Sequence, residues 1–160
     1  MDPAISKPDT NELYASLSPE LVEGIREYER SLAAKPGDYL IRCHAFPEDL
    51  IMISSGTVEI SIPSEGQSIP LATAGIGKVL GLRSLLTAKP SELDVICLTE
   101  CRYSAIARDR FLAFFESHSQ MHFAIAKILS ADLQLAQRYL KSSSRRNIRP
   151  VRPQVASASH

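Results

Sequence analysis

The chain has 160 residues, 44% of them apolar, which can bury one respectable core and is too short for two ordinary domains. Its 18 basic and 18 acidic residues cancel, so the whole chain carries no electrostatic sign of a nucleic-acid or membrane-surface protein, and any basic site must be local. Apolar stretches broken well before about 18 residues, an acidic Pro-containing start and three sparse cysteines (Cys43, Cys97, Cys101) argue against a membrane span, a signal peptide and a disulfide framework, leaving a reducing cytoplasm as the expected compartment.

Residues 1–17 mix Pro, Ser, Asp and Asn with few apolar anchors and read as a flexible arm. From Ser18 an amphipathic helix is expected. Ser18 caps it, Pro19 and Glu20 suit its first turn, and Leu21, Ile25, Tyr28 and Leu32 recur on one face until Lys35-Pro36-Gly37 ends it. From Tyr39 to Ala105 short β-type runs alternate with Gly, Pro and Ser, which predicts an antiparallel sandwich or roll. Leu50–Ile53 and Thr57–Ile62 form an expected hairpin with Gly56 at the bend, and strict alternation turns Val58, Ile60 and Ile62 toward the core. Asp94–Leu98 and Cys101–Ile106 form a second expected pair around Thr99-Glu100.

Helical spacing returns at Phe111, Leu112, Phe114 and Phe115, stops near Ser117-His118 and resumes after Ser119 as a longer helix to about Lys141. Ile125, Leu129, Leu133, Ala136 and Leu140 form one stripe of it, and Met121, Ala124, Ile128, Ala131 and Leu135 a second stripe alongside. That band is wider than a helix needs to cover one face of a small roll. Either a second copy buries the excess in a symmetric parallel pair, with the first stripe as the dimer interface, or both stripes fold onto their own domain. After Asp132 no acidic residue occurs. Residues 142–160, with Arg145, Arg146, Arg149 and Arg152 among Ser and Pro, read as a disordered basic tail, either solvated or offered to phosphates or a protein partner.

The domain from 18 to 141 is therefore mainly β with flanking helices, and particular residues add a resemblance. Lys35-Pro36-Gly37-Asp38-Tyr39-Leu40-Ile41 is similar to the opening strand of the cyclic-nucleotide-binding domains of catabolite-activator-type regulators, protein kinase A regulatory subunits and gated channels. Ile51-Met52-Ile53-Ser54-Ser55-Gly56-Thr57-Val58-Glu59-Ile60 resembles that family's central hairpin. Gly75-Ile76-Gly77-Lys78-Val79-Leu80-Gly81 resembles its approach to the phosphate cassette, and Leu85-Leu86 with Pro90 fits the cassette interior. The resemblance implies a double-stranded β-helix, or jelly roll, with a long C-terminal helix. It also implies a ligand site at Gly81, Leu82, Arg83, Ser84, Leu85, Leu86, Lys89, Ser91 and Glu92.

In the family a short helix offers backbone N–H groups to a cyclic phosphate, an acidic residue after the glycine holds the ribose, and an Arg after the proline neutralises the phosphate. This sequence has Leu82 and Ser91 at those two positions, with Glu92 beside the second. Losing a charge-assisted pair removes roughly 1.5 to 3 kcal/mol, so a cyclic nucleotide is expected to bind weakly, if at all, and another small anionic ligand is an open alternative. Arg83 and Lys89 either compensate in part or face solvent.

No nucleophile elbow, phosphate-binding loop or paired metal-ligand motif is present, and enzymatic activity is not expected. Three cysteines suit neither an iron–sulfur cluster nor zinc, and His44 is the one candidate haem ligand. The segment after the long helix lacks the apolar periodicity of a helix-turn-helix, so this chain alone is not expected to read duplex sequence. The expected function is a cytoplasmic regulatory or sensor module that signals through its long helix. A ligand-free dimerisation or docking domain is the alternative, and a haem or redox sensor a further one.

Overall fold

The computed structural model describes residues 11–148 of the chain. The first helix, α1 (Pro19–Arg26), starts as its sequence predicts, with Ser18 Oγ accepting the Leu21 N–H at 3.3 Å. It ends earlier than its apolar periodicity suggests, because Arg30–Ala34 forms strand β1 and pairs with the later strand Cys101–Ala107, from Arg30↔Ala105 to Ala34↔Cys101. Leu32, expected on the helix face, is a strand residue with 38% of its surface exposed. A five-residue antiparallel ladder outweighs one further helical turn.

The remaining elements follow in order: β2 (Tyr39–Ile41), β3 (Asp49–Ser55), β4 (Val58–Ser64), β5 (Gln67–Ala74), β6 (Val79–Leu80), α2 (Leu82–Thr87), β7 (Asp94–Cys97), β8 (Cys101–Ala107), α3 (Arg108–Ser117) and α4 (Ser119–Ile148). Two antiparallel sheets result, one ordered β1-β8-β3-β6 and the other β2-β7-β4-β5. This is the jelly-roll arrangement.

Both expected hairpins are corrected by this topology. β3 and β4 lie in different sheets, as do β7 and β8, so each short linker crosses from one sheet to the other instead of closing a pair. The two crossings rest on each other. The Leu98 N–H donates to the Thr57 carbonyl at 2.9 Å, and the Thr57 N–H to Thr99 Oγ1 at 3.0 Å. Gly56 has φ +94°, and a Cβ there would lie 2.4 Å from the Glu100 carbonyl oxygen, which is why only glycine fits this crossing.

Between the sheets, Ile41, Ile51, Ile53, Val58, Leu80, Val95, Cys97 and Cys101 form a buried cluster, with Ile60 partly buried against it. Ile62, expected in the core, is 37% exposed and sits opposite Ile69, which is exposed to the same extent, near the turn of the β4–β5 hairpin. The β5 strand carries Pro70, which an edge strand tolerates, and a register shift lies opposite Ile60 and Ser61.

Residues 11–17 are not a loose arm. Asn11 Oδ1 accepts the N–H groups of Leu13 and Tyr14, a 3-10 turn spans Tyr14–Ser16, and Leu13 is fully buried. Residues 1–10 and 149–160 lie outside the described residues, and the helical backbone of α4 continues through 142–148, which the sequence assigns to the tail. The described residues divide into two compact units that part between Ile125 and Ala126, the first holding both sheets and α1 to α3. Among the described residues no helix is long and apolar enough to cross a membrane.

Candidate functional site

Strand β6 delivers the chain to Gly81, whose φ of +87° turns it into α2. A Cβ at Gly81 would press to 3.3 Å on the Asp49 carbonyl, so this corner requires glycine on two counts. The helix is short. Ala88 closes it in the left-handed conformation, with its N–H on the Ser84 carbonyl at 2.9 Å. The exit is stitched to the β2–β3 loop, as His44 N–H donates to the Ser91 carbonyl at 2.8 Å and Ser91 N–H to the Ala45 carbonyl at 3.0 Å. Asp94 Oδ1 accepts the Cys43 N–H at 2.7 Å. The predicted site residues from Gly81 to Glu92 therefore form one continuous feature.

Their environments differ. Leu82 is 3% exposed and Leu85 fully buried, so both turn apolar side chains to the interior. Ser84 and Leu86 are half-buried, while Arg83, Lys89 and Glu92 are exposed. Ser91 is 8% exposed, and its hydroxyl is spent locally, donating to the Leu93 carbonyl at 2.8 Å and accepting the Leu93 N–H at 3.0 Å.

Two further residues that carry no signal in the sequence touch this feature or the strand that leads into it. Arg108, the first residue of α3, donates from Nε to the Leu85 carbonyl at 3.2 Å and joins α2 to α3. Glu12 accepts the Val79 N–H through Oε2 at 2.7 Å. One lone Arg at a strand end and one Glu in a polar segment both look like solvated charges. Behind α2, an open cleft of about 690 Å³ is bordered by Phe46, Ser84, Ala88, Arg108 and the Arg30–Asp49 ion pair.

The cysteines belong to the core. Cys97 and Cys101 are buried, and burial, followed by the neighbouring Cys101 thiol, pushes the Cys97 thiol up to about 12. Cys101 Sγ donates toward the carbonyls of Thr99 at 3.4 Å and Thr57 at 3.5 Å. His44 is exposed with φ +72°. His118 and His122 finish α3: their rings lie against Phe114 and Phe115 and donate to the carbonyls of those residues at 3.1 and 2.7 Å. Among the described residues no three His, Cys, Asp or Glu side chains gather to hold a metal ion.

On the long helix Met121, Ala124 and Ile125 are buried. Ile125, assigned by sequence to the dimer stripe, is only 3% exposed and gives a second copy almost no surface. Leu129 is half-buried, Ala136 is exposed, and Leu133 and Leu135 are 58% and 41% exposed. The side chain of Leu140 lies outside the described residues.

A protein-family model described as "Cyclic nucleotide-binding domain" matches residues 32–118, more than half of the chain. Among solved structures, the catabolite activator protein of Thermus thermophilus superposes with a TM-score of 0.73 at 23% identity, covering 84% of this chain and 63% of that one. The regulatory subunit of a cAMP-independent protein kinase A from Trypanosoma brucei gives 0.68 at 20% identity, covering 81% of this chain and 46% of that one. Its counterpart from Trypanosoma cruzi, bound to guanosine, gives 0.68 at 20% identity, covering 86% and 48%. This chain thus spans less than two thirds of each of those proteins, and at such identities the likeness establishes the fold. No curated protein matches the sequence.

Proposed function

The chain belongs to the cyclic nucleotide-binding domain family, and from that premise we propose that it is a regulatory module, not an enzyme, whose cassette answers to a small ligand other than an ordinary cyclic nucleotide. The carrying observation is the pair Leu82 and Ser91. One is an apolar side chain buried where the family places a ribose acceptor, and the other is a hydroxyl closed onto Leu93 where the family places its phosphate-binding Arg. An uncharged ligand suits such a cassette better than a phosphodiester, because it demands no buried counter-charge. The Trypanosoma cruzi neighbour, described as bound to guanosine, is a precedent for a phosphate-free ligand in this fold.

The signal would travel as a population shift. A ligand that moves α2 moves the Leu85 carbonyl, and Arg108 carries that displacement into α3 and so to the break at His118 between α3 and α4. The output is pairing with a second copy through α4, where Leu129, Leu133 and Ala136 lie at heptad-compatible spacing. A ligand-free docking module is the second reading, favoured by the complete burial of Leu85 within the cassette.

Native mass spectrometry of freshly purified protein tests the proposal. A dimer retaining a small molecule that is neither cAMP nor cGMP is the expected result. A bare dimer selects the second reading, and a monomer carrying either cyclic nucleotide overturns both.

A further inference from the structure

Strand β6 lies at an edge of its sheet and is only two residues long, paired with β3 through Ile51↔Leu80 and Met52↔Val79. Its outer side is taken by the N-terminal segment. The Glu12 N–H donates to the Gly77 carbonyl at 2.9 Å, Glu12 Oε2 accepts the Val79 N–H at 2.7 Å, and Lys78 Nζ stands 3.7 Å from the same oxygen. Asn11 Nδ2 reaches Met52 Sδ at 3.3 Å. These contacts end two residues before Gly81, the corner of the cassette.

The other end of the segment is tied down equally. Tyr14 is buried, with its hydroxyl on Glu29 and the Arg26 guanidinium 5.3 Å over its ring. The Ser18 N–H then donates to Gln120 Oε1 at 3.0 Å, in the first turn of α4 and directly after the His118 break. One short stretch of chain therefore grips the strand that feeds the cassette and the helix that follows the hinge.

We propose that residues 11–18 are a strap coupling the cassette entry to the start of α4, which makes the N-terminal segment a second input to the cassette. The route is distinct from that through Arg108, which contacts the Leu85 carbonyl of α2. By linkage the coupling is reciprocal: whatever pulls Glu12 away from Val79 alters the cassette, and a shift of β6 alters the hold on Gln120. The inference rests on reading residues 81–91 as the responsive element.

Hydrogen exchange followed by mass spectrometry on the full chain, without added ligand, tests it. Glu12→Ala removes a charge-assisted acceptor, and amides of residues 79–87 and 120–124 are expected to exchange roughly ten- to a hundredfold faster, with β1 and β8 unchanged. Glu12→Gln keeps an acceptor and loses the charge. It is expected to give a smaller rise at the same amides, and it carries the test if Glu12→Ala does not fold. A change confined to Val79, or no change at 120–124 in either folded variant, overturns the strap. Because no ligand enters the measurement, its failure is distinguishable from failure of the ligand reading, which titration decides.

Discussion

Ser91 and Leu93 close on each other: the Ser91 hydroxyl donates to the Leu93 carbonyl at 2.8 Å and accepts the Leu93 N–H at 3.0 Å. A side chain occupied in this way has nothing left for a phosphate. Restoring the family's pair in a Leu82→Glu, Ser91→Arg double variant is expected to strengthen cAMP binding by about a hundredfold or more, two charge-assisted contacts of roughly 1.5–3 kcal/mol each being added. The unliganded variant is expected to melt lower, because Leu82 is buried and a carboxylate there is desolvated. Calorimetric titration and thermal melts check both; unchanged cAMP affinity in a folded variant counts against these positions as the cause.

The crossing at Gly56 makes a stability contrast. Gly56→Ala drives a methyl into the Glu100 carbonyl oxygen at 2.4 Å in a left-handed backbone, and a loss of about 3 kcal/mol or more is expected. Gly66 has φ +77° but open space around it, so Gly66→Ala is expected to cost only about 1 kcal/mol. Equal losses by urea denaturation contradict the stacked crossings.

Alkaline stability reports on the thiol core. Burial raises the Cys97 thiol from 9.0 to about 12, so the folded state holds this proton more tightly than the unfolded chain. Its contribution is fully present below pH 9 and is lost as the pH rises toward 12. The urea midpoint of the wild type is expected to fall as the pH is raised through that window, and Cys97→Ala to flatten the fall. Tyr103, raised chiefly by its own burial, leaves a residual slope.

Pairing through the long helix is tested at Leu133, 58% exposed, where a charge does not disturb the core. Leu133→Glu is expected to sediment as a monomer while keeping the melting temperature of the wild type diluted to its monomer. A wild type that is itself monomeric, or a variant that stays dimeric, removes the helix from the interface.

The roll was legible because its signals are local: Gly37, Gly56 and Gly81 all adopt positive φ where the motifs place them. Strand partners were less legible. Thr57–Ile62 reads the same whether its strand pairs with β3 or crosses to the other sheet, because alternation fixes a face and leaves the neighbour open. The identities at the cassette, Leu82 and Ser91, were readable directly. What Ser91 does with its hydroxyl depends on Leu93, and the grip of Glu12 on Val79 spans 67 residues, a distance over which no periodicity extends. The helix of Leu32 failed for a related reason, since its competitor is a ladder to Tyr103 far along the chain.

The most direct test is calorimetric titration of cAMP into the wild-type chain. With both charge-assisted contacts missing, no saturation is expected below about 1 mM. Saturable binding at submicromolar cAMP contradicts this expectation, and with it the proposal that Leu82 and Ser91 disable the cassette for a cyclic nucleotide.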